Sequence, residues 1–176
     1  MSDTDKMTGP VGLTLLPEAA KFNLRIATAD LAAASRAFGA ELPVSIGAGA
    51  IAGVRSALCL GPDEWVLYSS AEDGDALQTA FQAVYGEASH SLTDVSDREV
   101  TIAVSGLQAA DHLSTSCPRD VEAIPVGSGA RTIFDTVPIV LTRQTESEYR
   151  IEVWRSYFPH VWALLHTANR EFSAGL

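Results

Sequence analysis

The chain has 176 residues, 47% hydrophobic and 19% charged, which supplies a sizeable core for one domain or two small packed repeats. Its formal net charge of -10, with no Lys/Arg run, argues against nucleic acid and anionic membrane surfaces, which both call for a basic face. No apolar run approaches the roughly 20 residues of a membrane helix, MSDTDKMTGP lacks the layout of a signal peptide, and Cys59 and Cys117 make no disulfide framework, so a cytoplasmic chain with reduced thiols is expected.

Residues 1–20 read as an N-terminal arm. Phe22 to Thr28 alternates Leu24 and Ile26 against Asn23 and Arg25, which predicts a strand. Asp30 is placed to cap a helix over LAAASRAF, and Gly39 to stop it. Residues 40–53, rich in Gly, Ala and Pro, read as a loop. Val54 to Leu60 and Trp65 to Ser69 read as two strands joined by Gly61-Pro62-Asp63-Glu64, where Pro62 suits the second turn position and Asp63 the third. Asp73 or Asp75 can cap a helix whose face carries Leu77, Ala80, Phe81 and Val84, ending at Gly86.

The second half repeats the series. Ser91 to Val95 and Glu99 to Ser105 read as strands, Leu107 to Leu113 as a short helix, and 118–130 as a loop. Thr132 to Leu141 is strand-rich, with Pro138 marking an edge or a break. Glu148 to Arg155 alternates as a strand. Ser156 can cap a last helix with Pro159 in its first turn. LRIATADLAAASRA echoes IAVSGLQAADHL, and EWVLYSSAEDGDALQTAFQAV echoes YRIEVWRSYFPHVWALLHTA. The expectation is α+β: two pseudo-repeated split-βαβ (ferredoxin-like) units, about 22–95 and 99–172, with antiparallel sheets and helices in a single domain over 21–176.

Candidate chemistry is thin. Gly47-Ala48-Gly49-Ala50-Ile51-Ala52 fits a relaxed dinucleotide fingerprint, but that needs a strand before it and a helix opening within it. Pro43 to Ile46 makes a poor strand, and Gly53 and Val54 follow where the helix should run, so a loop is the better reading. Asp63 and Glu64 are adjacent and diverge on extended backbone, so Asp63 reads as a turn residue and Glu64 as a solvated flank rather than an acid/base pair. His90, His112, His160 and His166 form no metal-binding spacing, and His112 with Cys117 lacks an acidic orienter. No catalytic, cofactor-binding or metal-binding residue is assigned.

The last helix is more informative. Val161, Leu164, Leu165, Ala168 and Phe172 make a core stripe. Phe158, Trp162, His166 and Asn169 make a second stripe beside it, and Trp154 lies on the polar face of its strand. Aromatic residues outside the core stripe concentrate at protein interfaces, although a deeply buried helix would also hide them. Trp154, Phe158, Trp162 and His166 are therefore the candidate partner interface.

"LGPDEWVLY" (60–68), "TDVSDREVTIAVSGLQAADHLSTSCPRDV" (93–121) and "YRIEVWRSYFPHVWALL" (149–165) together resemble the gamma subunits of heterotetrameric sarcosine oxidases. The resemblance runs from about Leu58 to the last helix. That family is in turn similar to the folate-binding fold of the glycine-cleavage aminomethyltransferase. Asp94-x-Ser96, Ser105-Gly106, Ala109 or Ala110, Leu113 and Asp120 resemble that fold's first strand and helix. The departures follow Ser128, where aminomethyltransferases carry a longer hairpin with a Gly-rich turn and a catalytic aspartate. Here Pro138 interrupts, and Asp135 is not in a matching context. The Lys-Gly-Cys-Tyr-x-Gly-Gln-Glu signature of the iron–sulfur-assembly relatives is also missing.

The resemblance thus implies the fold, while these departures argue against the folate chemistry. It implies a non-catalytic subunit of a complex that oxidatively demethylates sarcosine to glycine, forms hydrogen peroxide and passes one-carbon units to tetrahydrofolate. It places flavins, NAD, zinc and tetrahydrofolate on the alpha, beta and delta partner subunits, with no cofactor on this chain. The alternative is a stand-alone folate-binding aminomethyltransferase-like protein.

Overall fold

The computed structural model describes residues 6–7 and 10–174. The chain is α+β and divides into two compact units, one of Glu18–Ser96 and one of the residues up to 17 with those from 97 on.

The 18–96 unit carries β3 (Ala20–Ile26), α1 (Leu31–Phe38), β4 (Gly49–Ala52), β5 (Arg55–Gly61), β6 (Glu64–Ser69), α2 (Gly74–Val84) and β7 (His90–Asp94), with β1 (Lys6–Met7) and β2 (Gly12–Leu15) preceding it. Its five strands are all antiparallel, in the order β4-β5-β6-β3-β7. Phe22, Leu24, Trp65 and Leu67 point from the sheet onto Ala33, Ala34, Ala37, Phe38, Leu77 and Phe81 of the helices. Each fully buried large side chain contributes roughly 1.5–3 kcal/mol. Gly74 lets α2 come close, since a Cβ there would lie 2.8 Å from the Cβ of Ala20. Gly39 ends α1 at φ 98, a left-handed conformation that a side chain would strain.

The other unit carries β8 (Glu99–Ser105), α3 (Ala109–Ser114), β9 (Gly129–Phe134), β10 (Val137–Thr145), β11 (Glu148–Trp154) and α4 (Phe158–Ser173). Its six strands run β1-β2-β8-β11-β10-β9. Placed beside the first unit, β8, α3, β9, β10, β11 and α4 repeat β3, α1, β4, β5, β6 and α2. The position held by β7 next to β3 is held by β2 next to β8, through Gly12↔Ser105, Leu13↔Val104, Thr14↔Ala103 and Leu15↔Ile102. A strand from before the first repeat thus completes the second. Asn169 of α4 fastens it: its Nδ2 donates to the Val11 carbonyl at 3.0 Å, and its Oδ1 accepts from Val11 N at 3.3 Å. Of the expected arm over 1–20, residues 1–5 and 8–9 lie outside the described residues.

Several local expectations are corrected. Residues 49–52, inside the expected loop 40–53, form edge strand β4. The run is too short and its side chains too small to show a period, and Gly53 at φ 63 turns it into β5. The Gly47–Ala52 motif therefore opens no helix. Thr132 to Leu141 splits into β9 and β10 around a turn at Asp135 (φ 54) and Thr136. Pro138 marks neither an edge strand nor a break: β10 is interior to the sheet, and Pro138 sits near its start, before pairing with β11 begins at Ile139. Asp30 and Asp73 precede their helices without a side-chain cap, and α4 is preceded by Tyr157 rather than capped by Ser156. Asp73 instead makes a forked pair with Arg55, at 2.6 and 2.9 Å. Glu64 is buried, not solvated. It accepts from Asn23 Nδ2 at 2.8 Å and lies 3.0 Å from Arg25 Nη2, while Arg25 Nη1 holds Asp63 at 3.0 Å.

Candidate interaction surface

The aromatic residues picked out by spacing fall into two groups. On α4, Phe158 and Trp162 lie 5.5 Å apart between ring centroids, and Trp162 and His166 meet edge-on at 4.6 Å. Helical spacing of i, i+4 and i+8 builds this ladder. Its inner edge rests on the core, since Phe158 and Trp162 pack against the cluster of Ile102, Ile151, Val161 and Leu165. Asn169, one turn on, is buried and serves Val11 instead.

Trp154 stands apart from the ladder. It stacks on Tyr157 at 5.9 Å, with the Arg98 guanidinium 5.1 Å from its ring. Trp154 is 44% exposed and Tyr157 42%. Tyr157 and Arg98 were not identifiable from spacing, because a turn and a neighbouring strand bring them to Trp154. A cation over a Trp face favours an exposed ring by about 0.5–1 kcal/mol.

His160 faces away from the ladder and donates from Nε2 to the Asp135 carboxylate at 3.0 Å. This bond, with those from Thr136, holds the Asp135 carboxyl below its usual range. Both partners are about half exposed. His112 lies at the back of α4, fully buried, with Nε2 2.9 Å from the Leu165 carbonyl. A carbonyl only accepts, so the proton is on Nε2. Nδ1 finds no partner, and burial pushes the His112 pKa down. Cys117 is buried with its Sγ 4.0 Å from Thr132 Oγ1, and burial raises the Cys59 thiol.

The positions that resemble the folate-binding fold are occupied with holding the backbone. Ser96 N and Oγ both donate to Asp94 Oδ1, at 2.9 and 2.6 Å, closing the end of β7. Gly106 has φ 132, and a Cβ there would lie 3.0 Å from the Pro10 carbonyl. Ala109 and Leu113 are core residues, and Asp120 accepts from Ala123 N at 3.1 Å. A cleft of about 200 Å³ lies beside β3 and α2, lined by Glu18, Phe22, Asp75, Gln78, Asp94 and Ser96. That is below the 300–1,000 Å³ or so of ordinary ligand pockets. Among the described residues no group of three or more His, Cys, Asp or Glu side chains is placed to hold a metal ion. Likewise, no helix among them is long and apolar enough to cross a membrane.

Residues 25–171 match the model of the "Sarcosine oxidase, gamma subunit family". The chain belongs to that family. The gamma-subunit match begins at 25, well before Leu58, where the likeness first becomes visible in the residues. The chain is 33% identical over 147 residues to sarcosine oxidase subunit gamma of Corynebacterium sp. (strain U-96), covering 81% of this chain and 70% of that one. It is similar in structure to a chain of the heterotetrameric sarcosine oxidase from Corynebacterium sp. U-96 in complex with pyrrole 2-carboxylate. There the TM-score is 0.84 and the identity 28%, covering 96% of this chain and 89% of that chain. The glycine cleavage system aminomethyltransferase T of Bartonella henselae is similar with a TM-score of 0.68 at 15% identity, covering 88% of this chain and 45% of that one. At that identity the likeness is one of fold alone. The gamma-subunit family and the aminomethyltransferase thus share an architecture.

Proposed function

We propose that the chain is a non-catalytic assembly subunit of a heterotetrameric sarcosine oxidase, working in the cytoplasm as a single domain of two pseudo-repeats over 21–176. In this reading, Trp154, Phe158, Trp162 and His166 meet the alpha, beta or delta subunits. The flavins, NAD, zinc and tetrahydrofolate sit on those partners. The reaction of the whole, oxidative demethylation of sarcosine to glycine with peroxide formation and one-carbon transfer, runs there. One observation carries this reading: Asp94, Ser96, Gly106, Leu113 and Asp120 are engaged in turns and packing. Family membership and the exposed Trp154/Tyr157 stack support it.

Co-expression with the three companion subunits tests it. Wild-type chain is expected to co-purify with the coloured complex. Trp162→Asp and Trp154→Asp are expected to lower recovery roughly tenfold or more, the effect of losing an aromatic anchor. Trp154 touches no core cluster, so its variant separates docking from folding. Full recovery of a complex containing folded variants would reject the surface.

A further inference from the structure

Residues 42–54 carry no charged side chain, in a chain whose net charge is -10. The segment is firmly held. Trp65 Nε1 donates to the Pro43 carbonyl at 2.8 Å, Gly47 N to the Cys59 carbonyl at 2.8 Å, and Cys59 N to the Ala48 carbonyl at 3.0 Å. Between and beyond these ties, Val44, Ile46, Ile51 and Val54 are 64%, 67%, 74% and 68% exposed. Ala50 and Ala52 pack on the core, so Ile51 points from the opposite face of the sheet.

β4 is the outermost strand of its sheet. Ala52 pairs with Arg55 across the tight turn at Gly53 and Val54, which fixes the alternation along the strand. Ala50 and Ala52 turn their N–H and C=O groups to β5, and Ala48 turns its C=O there, accepting from Cys59 N, while its N–H donates to the Ser45 carbonyl. Gly49 and Ile51 turn theirs outward. Exposed edges are ordinarily blunted by Lys, Pro or an inward charge, and β4 has none of these.

We propose that the outer edge of β4 accepts an extended, uncharged segment of a companion subunit as an added strand. The backbone of Gly49 and Ile51 bonds it, and Val44, Ile46 and Val54 pack around it. This rests on the assembly reading above. A second copy is the poorer occupant, because pairing β4 with itself brings together two chains that each carry -10.

Amide exchange and two variants test this in the co-expressed complex. The Gly49 and Ile51 amides are expected to exchange fast in the isolated chain and slowly in the complex, while Ala50 and Ala52 are slow in both. Ile51→Pro removes only an outward N–H, so the isolated variant is expected to keep its melting temperature while its recovery in the complex falls roughly tenfold or more. Ile51→Thr keeps the N–H and is expected to bind with intermediate recovery. If the complex forms, if Trp154→Asp disrupts it, and if Ile51→Pro and the two amides are unaffected, the strand proposal is overturned and the assembly reading stands. If wild-type chain never joins the companions, both fall. A concentration-dependent dimer of the isolated chain, abolished by Ile51→Pro, would overturn the proposal in favour of a second copy.

Discussion

His112 shows what one buried polar atom does to stability. Its ring lies between α3 and α4 with Nδ1 unpartnered and His166 nearby, and both burial and that neighbour disfavour the imidazolium. The folded pKa is lowered beneath the unfolded value of about 6.5. Below that value the unfolded chain binds the extra proton more readily, so stability is fully present above it and is lost as pH falls toward the folded pKa. The slope is at most about 1.4 kcal/mol per pH unit for a single proton. His112→Leu gives up the bond to Leu165 and is expected to cost roughly 1–2 kcal/mol at pH 8. It also abolishes this acid loss, so urea midpoints of wild type and variant should converge between pH 7 and 5. Parallel curves would show that the imidazole does not titrate in this way.

The junction of Val11 and Asn169 fastens β2, which is short and joins the second sheet from a distant part of the chain. Asn169→Ala leaves the buried N–H and C=O of Val11 without partners, and is expected to cost roughly 2–4 kcal/mol. Amide exchange should quicken at residues 11–16 while the amides of β10 and β11 keep their protection. Uniform quickening throughout the unit would mean that β2 is not a separate fastening.

The order of the regular elements was legible because the long strands alternate and the helices carry stripes, as in Glu148–Trp154 and Gly74–Val84. β4 was not, since Gly-Ala-Ile-Ala has no apolar period, and the β9–β10 turn hides in Phe134-Asp135-Thr136-Val137, which lacks glycine. The caps misled because Asp73 gains more from the Arg55 fork than from a helix N–H. The aromatic stripe of α4 was readable from i, i+4 spacing, but Asn169 belongs to a fold contact. The partners of Trp154 come from chain reversal, which spacing alone does not encode.

For the molecule as a whole, family membership and the occupation of the folate-like positions lead to one expectation. Isolated chain titrated calorimetrically with a reduced folate should give no saturable heat, because Asp94, Ser96, Gly106 and Asp120 are engaged in turns and backbone contacts. Micromolar binding would restore the transferase reading of the shared architecture.

The pairing of Gly12 with Ser105 joins residues 93 apart, and that of Val11 with Asn169 joins residues 158 apart. During synthesis, residues 18–96 emerge with all their strands and can collapse at once. The strand ahead of them can pair with β8 once residues 99–105 emerge, but its fastening by Asn169 waits for α4. The second body therefore closes late, and until residues 148–154 are made the β8 margin that receives β11 is what a chaperone, or an aggregating neighbour, would find.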